Sequence, residues 1–427
     1  MISVEKTGPI LGEVCVPGDK SISHRAIILA SVAQGVSLIK NICPGTDVKS
    51  SIRCMQMLGA RIDEAPGELV IHGMGRRGLS EPVDVLDCGN SGTTARLLMG
   101  LAAGYPFCTV FTGDGSLRER PMGRVKRPLV DMGTRIEGRK RGERLPLSVI
   151  GGSLKEIVYE MQVASAQVKS AILLAGLSVQ GRTSVVDKKA TRDHTERLLT
   201  AMGARIQTVD GCVNMEGGKK LSPIELEVPG DLSSAAYMIA LAVLIPGSSL
   251  LVKNVGLNPS RTGFLSLLER MGASIVIHEH ARHGPEPAGD IEVRHSQLRG
   301  ISITGDDVAS AIDELPLLAV MATRAQGRTV ISDAYELRVK ETDRISAITE
   351  GLRNLGAGIE EKEDGLILNG PIELNGADCR SQGDHRIAMS LVVAGLVSEG
   401  RTTIADPECV DISFPGFMSM LEEVISS

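Results

Sequence analysis

The tetrapeptide Val-Pro-Gly-Asp occurs twice, at Val16–Asp19 and at Val228–Asp231, about half a chain apart, and each copy opens an apolar run with helical spacing. Punctuation repeated at that distance constrains the chain to two similar halves, so a duplicated fold is expected. The copies differ in their continuations. The first runs on as Lys20-Ser21-Ile22-Ser23-His24-Arg25 and the second as Leu232-Ser233-Ser234-Ala235-Ala236-Tyr237. If Pro-Gly-Asp were only a turn and a helix cap, both continuations could be equally bland. Instead Lys20, His24 and Arg25 stand where the other copy has Leu232, Ala236 and Tyr237, and cations at a helix start suit an anion.

A second repeat runs through both halves: Met57-Leu58-Gly59-Ala60-Arg61-Ile62, Met132-Gly133-Thr134-Arg135-Ile136, Met202-Gly203-Ala204-Arg205-Ile206, Met271-Gly272-Ala273-Ser274-Ile275 and Leu355-Gly356-Ala357-Gly358-Ile359. Its period is roughly 70 to 85 residues, the size of one supersecondary unit. In each copy an amphipathic run precedes the Gly and a β-branched residue follows, as when a helix ends on a left-handed Gly and turns into a strand. Each unit also holds a more apolar helix candidate with a polar head. These are Asp19–Val32, Asn90–Ala103, Ser165–Leu177, Asp231–Leu244, Ser310–Ala322 and Asp384–Leu396.

Helices apolar nearly all round must be buried, so each half is expected to pack three of them inside three sheets. Their heads are rich in residues that cap helix N-termini. If the repeat sets them parallel, their positive ends point one way, each contributing about 0.3–1 kcal/mol toward an anion. The expected class is α/β (α+β), with buried parallel helices surrounded by sheets. Domain one is placed at 19–229 and domain two at 1–18 with 230–427, with an anion-binding cleft between them.

The 427 residues, 42% apolar, are enough for two cores. No apolar stretch reaches the roughly 18 residues of a membrane span. The start Met1-Ile2-Ser3-Val4-Glu5-Lys6 lacks the order of a signal peptide, so a cytoplasmic protein is expected. Eight cysteines are scattered singly without a Cys-x-x-Cys pair, which indicates neither a disulfide framework nor a structural metal and leaves buried, reduced thiols as the expectation. A net charge of −6, no Trp and few other aromatics argue against nucleic-acid binding.

Within Asp19–Arg25, Asp19 is read as the N-cap, which puts Ser21 and Arg25 one turn apart and Lys20 beside free N–H groups. Basic residues in a first turn oppose the helix dipole, so an anion site explains them better than a solvated turn does. Asn90-Ser91-Gly92-Thr93-Thr94-Ala95-Arg96 opens the second buried helix, where Gly92 lets backbone N–H groups approach an oxyanion. Arg118-Glu119-Arg120-Pro121-Met122-Gly123-Arg124 reads either as a solvated loop or as a site loop in which Arg120, before Pro121, is held out of α geometry. Ser165-Ala166-Gln167 heads the third helix with neutral donors.

Arg338-Val339-Lys340-Glu341-Thr342-Asp343-Arg344 reads either as a salt-bridged surface helix or as a site segment. If helical, Lys340, Glu341 and Arg344 share a face. Asp313 at the head of the fifth helix, and Asp384-His385-Arg386 at the head of the sixth, are candidate carboxylates amid cations, with first-turn capping as the plain alternative. Two carboxylates, several cations and small donors, with neither metal-ligand spacing nor a Walker loop, suit two phosphorylated or carboxylated small substrates and proton transfer.

Together, Pro17–Arg25, Gly89–Thr93, Arg120-Pro121-Met122, Ser165-Ala166-Gln167, Arg338–Arg344 and Asp384-His385-Arg386 closely resemble the EPSP synthase family of enolpyruvyl transferases, in order and over the whole chain. The resemblance implies two domains of three βαβαββ units each, an inside-out α/β barrel. It implies transfer of the enolpyruvyl group of phosphoenolpyruvate to the 5-hydroxyl of shikimate 3-phosphate through a tetrahedral intermediate, with release of phosphate and without metal or cofactor. By the same resemblance Lys20, Ser21, Arg25, Ser165, Ala166, Gln167, Arg192, Asp313 and Lys340 hold shikimate 3-phosphate, and Lys20, Gly92, Arg120, Gln167, Arg344 and Arg386 hold phosphoenolpyruvate.

Asp313 is the implied hydroxyl base, and Glu341, aided by Lys20, the implied donor to the methylene carbon. The chain departs from one branch of the family at Ala166, at Arg192-Asp193-His194-Thr195-Glu196 and at Ile412, where that branch has a Ser, a Tyr-containing segment and a Lys. Two other readings are a transferase acting on UDP-N-acetylglucosamine, against which the lack of a Cys in Arg118–Arg124 counts, and a nonenzymatic protein that binds phosphorylated metabolites. A monomer is expected.

Overall fold

The residues that punctuate the sequence start and stop helices in the computed structural model of the chain, which describes residues 1–281 and 284–426. The chain forms two units. One is built from Met1–Pro17 and most of the chain after Pro229, the other from Gly18–Val228 with the short segment holding Pro285 and Glu286.

Gly18–Val228 buries the helices Lys20–Val32, Gly92–Ala102 and Ala166–Gly176, each under its own four-stranded sheet. The middle repeat gives the pattern: strand Leu86–Asp87, buried helix, strand Cys108–Thr112, surface helix Gly123–Asp131, then strands Arg135–Gly138 and Leu147–Ile150. The first two strands pair in parallel and the remaining two neighbours antiparallel. The crossover between parallel strands needs a helix, and that helix is the buried one. In the first repeat the parallel edge strand, Glu225–Glu227, comes from the far end of the segment and pairs with Gln34–Lys40.

The other unit repeats the arrangement around helices Leu232–Leu244, Leu315–Ala322 and His385–Leu396. Here the start of the chain supplies two strands. Leu11–Cys15 lies parallel to Ser249–Gly256, and Ile2–Glu5 pairs antiparallel with Arg401–Ala405 to complete a three-stranded sheet with Asp378–Arg380. Leu232–Leu244 is buried at every position, and a helix apolar on every side needs such cover.

Five surface helices end as the glycine repeat requires. Gly59, Gly133, Gly203, Gly272 and Gly356 have φ between +84° and +110°, and a strand follows each. That left-handed backbone carries a steric cost for other L-residues, and Gly avoids it.

Five of the six buried helices are capped by side chains at their expected heads, the second by Ser91 rather than by Asn90, where its run was placed to begin. The Asp19, Ser91, Ser165, Asp231 and Asp384 side chains accept first-turn N–H bonds. The fifth helix departs from the expected Ser310 start. The chain instead forms a short helix, Asp306–Ser310, breaks, and begins the buried helix at Leu315 after Glu314. Pro316, lacking an N–H and with φ preset, belongs in a first turn and fixes that start. Asp313 therefore sits in the break. The cysteines also depart from expectation: all eight are free, but Cys15 and Cys108 are exposed and Cys212 partly so. Among the described residues no helix is long and apolar enough to cross a membrane.

Candidate active site

In the unit Gly18–Val228 Lys20, Ser21, Gly92, Ser165, Ala166 and Gln167 stand at the heads of its buried helices, whereas Arg120 ends the short helix Gly115–Glu119 and Arg192 lies in the loop before His194. Asp19 caps the first helix through Ile22 N at 2.9 Å. Lys20 follows in the first turn, 3.3 Å from Asp47. Arg25 is buried, and its guanidinium donates to the Ser21 carbonyl, Thr195 Oγ1 and Ser170 Oγ, each at 2.8 Å. Burial brings its pKa down to about 10, which still leaves it charged at neutral pH, with Glu196 and Asp19 opposing the fall and Arg192 adding to it.

His24 corrects the sequence reading. It is buried, bonded through Nδ1 to Ser51 Oγ at 2.8 Å, and burial together with Lys20 and Arg25 pushes its pKa well down. It is a neutral core residue, so the cations of this segment are Lys20 and Arg25.

At the second helix Ser91 Oγ caps Thr94 N, and Gly92 is the first helical residue. A Cβ there would stand 2.7 Å from Arg96 Nη1 and 3.6 Å from Arg120 Nη1. Arg120 has extended backbone, φ −76° and ψ 145°, as Pro121 demands. Its guanidinium holds the Asn90 carbonyl at 3.1 Å, Asn90 Oδ1 at 2.5 Å and Ser116 Oγ at 3.2 Å. Gln167 is oriented from both ends: Arg96 donates to its Oε1 at 2.7 Å, and its Nε2 donates to Thr93 Oγ1 at 2.9 Å. Arg96 was not singled out from sequence, although it stands one helical turn beyond Gly92.

In the other unit Asp313 is ringed by cations: Arg344 Nη1 at 3.4 Å, Lys340 Nζ at 3.7 Å and Arg261 Nη1 at 3.8 Å. Arg344, 2% exposed, also donates through Nη2 to Glu341 and through Nε to Asp384, both at 2.7 Å. Burial opposes its charge, but Asp384, Glu341 and Asp313 outweigh burial and raise its pKa further. The expected helical face through Lys340, Glu341 and Arg344 does not exist. Tyr335–Val339 is a short 3-10 turn, Lys340–Thr342 is irregular, and Asp343 caps a helix starting at Arg344. The three side chains meet through the carboxylates instead. Arg338 turns away to Asp343, Glu361 and the carbonyls of Lys362 and Glu363, so its work is to fold the loop.

Arg386 is buried beside Glu314 at 3.7 Å, and its charge acts on the buried Tyr237 hydroxyl, whose own pKa burial pushes up to about 12. Ser233 donates to Glu314, and Arg261 donates to Ser233 and Asp231. Ser233, Tyr237, Arg261 and Glu314 were not foreseen from sequence. The Leu232–Tyr237 stretch, the blander copy in sequence, carries two of them. Ile412 packs against the apolar core.

The fold is the one shared by enolpyruvyl transferases: the structure aligns over 99% of the chain with NikO from Streptomyces tendae at a TM-score of 0.79 and 17% identity, covering 96% of that chain. The family model for EPSP synthase (3-phosphoshikimate 1-carboxyvinyltransferase) matches residues 4–421, and the chain belongs to that family. It is 50% identical over 426 residues to the 3-phosphoshikimate 1-carboxyvinyltransferase of Pelotomaculum thermopropionicum, covering 99% of both chains. Against that of Desulforamulus reducens it is 48% identical over 416 residues, 97% of each. An EPSP synthase structure from Acinetobacter baumannii superposes at a TM-score of 0.89 with 40% identity, covering 99% of this chain and 97% of that one. The chain is thus an enzyme of the family whose reaction transfers the enolpyruvyl group of phosphoenolpyruvate to shikimate 3-phosphate in the shikimate pathway.

Proposed function

We infer that this chain adds the 5-hydroxyl oxygen of shikimate 3-phosphate to C2 of phosphoenolpyruvate, with Asp313 and Glu341 as its proton-transfer groups. The reading rests on the family membership and, within the structure, on one observation: both carboxylates bind the same buried guanidinium, that of Arg344. An acceptor of the hydroxyl proton must be ionised, and the cations around Asp313 favour that form. As the C–O bond forms, Asp313 takes the hydroxyl proton and Glu341, which enters this step in its acid form, delivers one to the methylene carbon, giving a tetrahedral adduct. In the elimination Glu341 takes a methyl proton back and the proton held by Asp313 leaves with the phosphate departing from C2, which regenerates the double bond and both carboxyl groups, so atoms and protons balance.

Lys20, Gly92, Arg120, Gln167, Arg344 and Arg386 are assigned to phosphoenolpyruvate. Lys20, Ser21, Arg25, Ser165, Ala166, Gln167, Arg192, Asp313 and Lys340 are assigned to shikimate 3-phosphate. Ala166 has only its backbone N–H to offer, and Gly92 offers space as well. Oriented donors of this kind act where charge accumulates on the phosphate and the carboxylate. The chain is read as a cytoplasmic monomer, which light scattering after size exclusion would check.

The test is phosphate release from phosphoenolpyruvate with shikimate 3-phosphate or UDP-N-acetylglucosamine as acceptor, in wild type and Asp313→Ala. Turnover with shikimate 3-phosphate alone, lost in the variant, supports the assignment. Turnover with the nucleotide sugar, or an active variant, removes it.

A further inference from the structure

Lys169 takes no part in the proposed reaction, yet it is only 2% exposed and its ammonium meets three oxygens inside the fold. Its Nζ lies 2.7 Å from Glu196 Oε1 and 2.9 Å from Asp187 Oδ2, and donates to the Thr191 carbonyl at 2.9 Å. These acceptors come from three places: the end of strand Arg182–Val186, the loop after it, and the first turn of helix His194–Ala201. Asp187 Oδ2 also accepts Thr191 N at 2.9 Å and Thr191 Oγ1 at 2.6 Å, which closes residues 187–191 into one turn.

The neighbouring residue continues the tie. Ser170 Oγ accepts from Arg25 Nη2 and shares a 2.7 Å bond with Thr195 Oγ1, which accepts from Arg25 Nε. Two consecutive residues of one helix, Lys169 and Ser170, are thus matched to two consecutive residues of another, Thr195 and Glu196, with Arg25 joined to both hydroxyls.

Burying an ammonium is costly unless it is paired. Here Lys169 is paired with two carboxylates, Asp187 and Glu196, and Arg25 is held by two hydroxyls and a carbonyl with Glu196 and Asp19 favouring its charge. What it fixes is the position of groups assigned to one substrate. Ser165 caps the helix that carries Lys169, Arg25 is bound to the hydroxyl pair, and Arg192 directly follows the clamped Thr191.

We propose that Lys169 is a positioning residue for shikimate 3-phosphate, acting through Asp187, Thr191 and Glu196 to set Arg192, Arg25 and the head of helix Ala166–Gly176. This rests on the assignment of those groups to shikimate 3-phosphate. The experiment uses the full chain carrying Lys169→Met, measures KM for each substrate at saturation of the other, and adds calorimetry of shikimate 3-phosphate alone.

The expected result is a rise of about tenfold or more in the shikimate 3-phosphate KM and Kd, with the phosphoenolpyruvate KM changed by less than about twofold. Lys169→Arg should restore part of the loss. Equal rises in both KM values, or a lowered Tm with the shikimate 3-phosphate values unchanged, would overturn the proposal, because a merely structural lysine lowers the folded fraction without choosing between substrates. If Lys169→Met does not fold, Thr191→Val removes a single hydroxyl bond to Asp187. A selective rise of about threefold in the shikimate 3-phosphate KM is then expected, and no rise overturns the inference. Wild type inactive with shikimate 3-phosphate would remove the underlying assignment itself, an outcome distinct from an active wild type and an indifferent variant.

Discussion

Asp384 and Arg344 are joined side chain to side chain, Oδ2 to Nε at 2.7 Å, while the other oxygen of the same carboxylate accepts the backbone N–H of Arg386 at 2.8 Å. One buried Asp therefore sets two arginines assigned to phosphoenolpyruvate, the first through its side chain and the second through the helix it caps. Asp384→Ala should lose the cap and leave a buried guanidinium short of a partner, at about 3–5 kcal/mol of stability. Asp384→Asn, which keeps an acceptor, should cost less and raise the phosphoenolpyruvate KM more than the other. Urea unfolding and steady-state kinetics measure both, and equal stability of Asp384→Ala and wild type would contradict the arrangement.

Gly92→Ala tests the second helix head. The added methyl would meet Arg96 Nη1 at 2.7 Å, and because that atom ends a flexible side chain the fold should survive. Arg96 also holds Gln167, and the methyl enters the space assigned to phosphoenolpyruvate. The phosphoenolpyruvate KM should rise several-fold beyond that for shikimate 3-phosphate. Matching rises in the two constants would take Gly92 out of that assignment.

Much of the fold is legible in the sequence because its signals are local. A Gly after an amphipathic run, or an Asp or Ser before an apolar one, states a backbone conformation that neighbouring residues alone decide. The fifth buried helix starts later than its sequence suggests because Ser310 only resembles a cap, whereas Pro316 decides where the helix begins. The site was legible as a set of segments but not as a geometry. Lys340 and Arg344 meet at Asp313, and Glu341 binds Arg344 itself, without a helix to align them, and their spacing does not point to Asp313. Arg261, Tyr237 and Lys169 stayed hidden for a related reason: each acts through partners far off in sequence, and alone each reads as an ordinary loop, core or helix residue.

Tyr237→Phe probes one of those hidden residues. The Tyr237 hydroxyl lies fully buried in the field of the Arg386 charge, so removing it takes a polar neighbour from that guanidinium. Because Glu314 stays beside Arg386, the variant should fold. Its phosphoenolpyruvate KM should rise about threefold to tenfold, with the shikimate 3-phosphate KM nearly unchanged. Unaltered kinetics would show that the hydroxyl does not help to place Arg386.

His24 predicts how stability depends on pH. Burial, with Lys20 and Arg25 adding to it, depresses its folded pKa well below the ordinary value, so in the window below about 6.5 the unfolded chain binds a proton that the folded chain refuses. The stability conferred by a neutral His24 is therefore present above that pH. It is lost as pH falls toward the folded pKa, at up to about 1.4 kcal/mol per pH unit. His24→Gln keeps a polar partner for Ser51 without a proton to refuse. Chemical unfolding between pH 7 and 5 should give a flatter slope for the variant than for wild type, and parallel slopes would mean that His24 does not titrate differently in the two states.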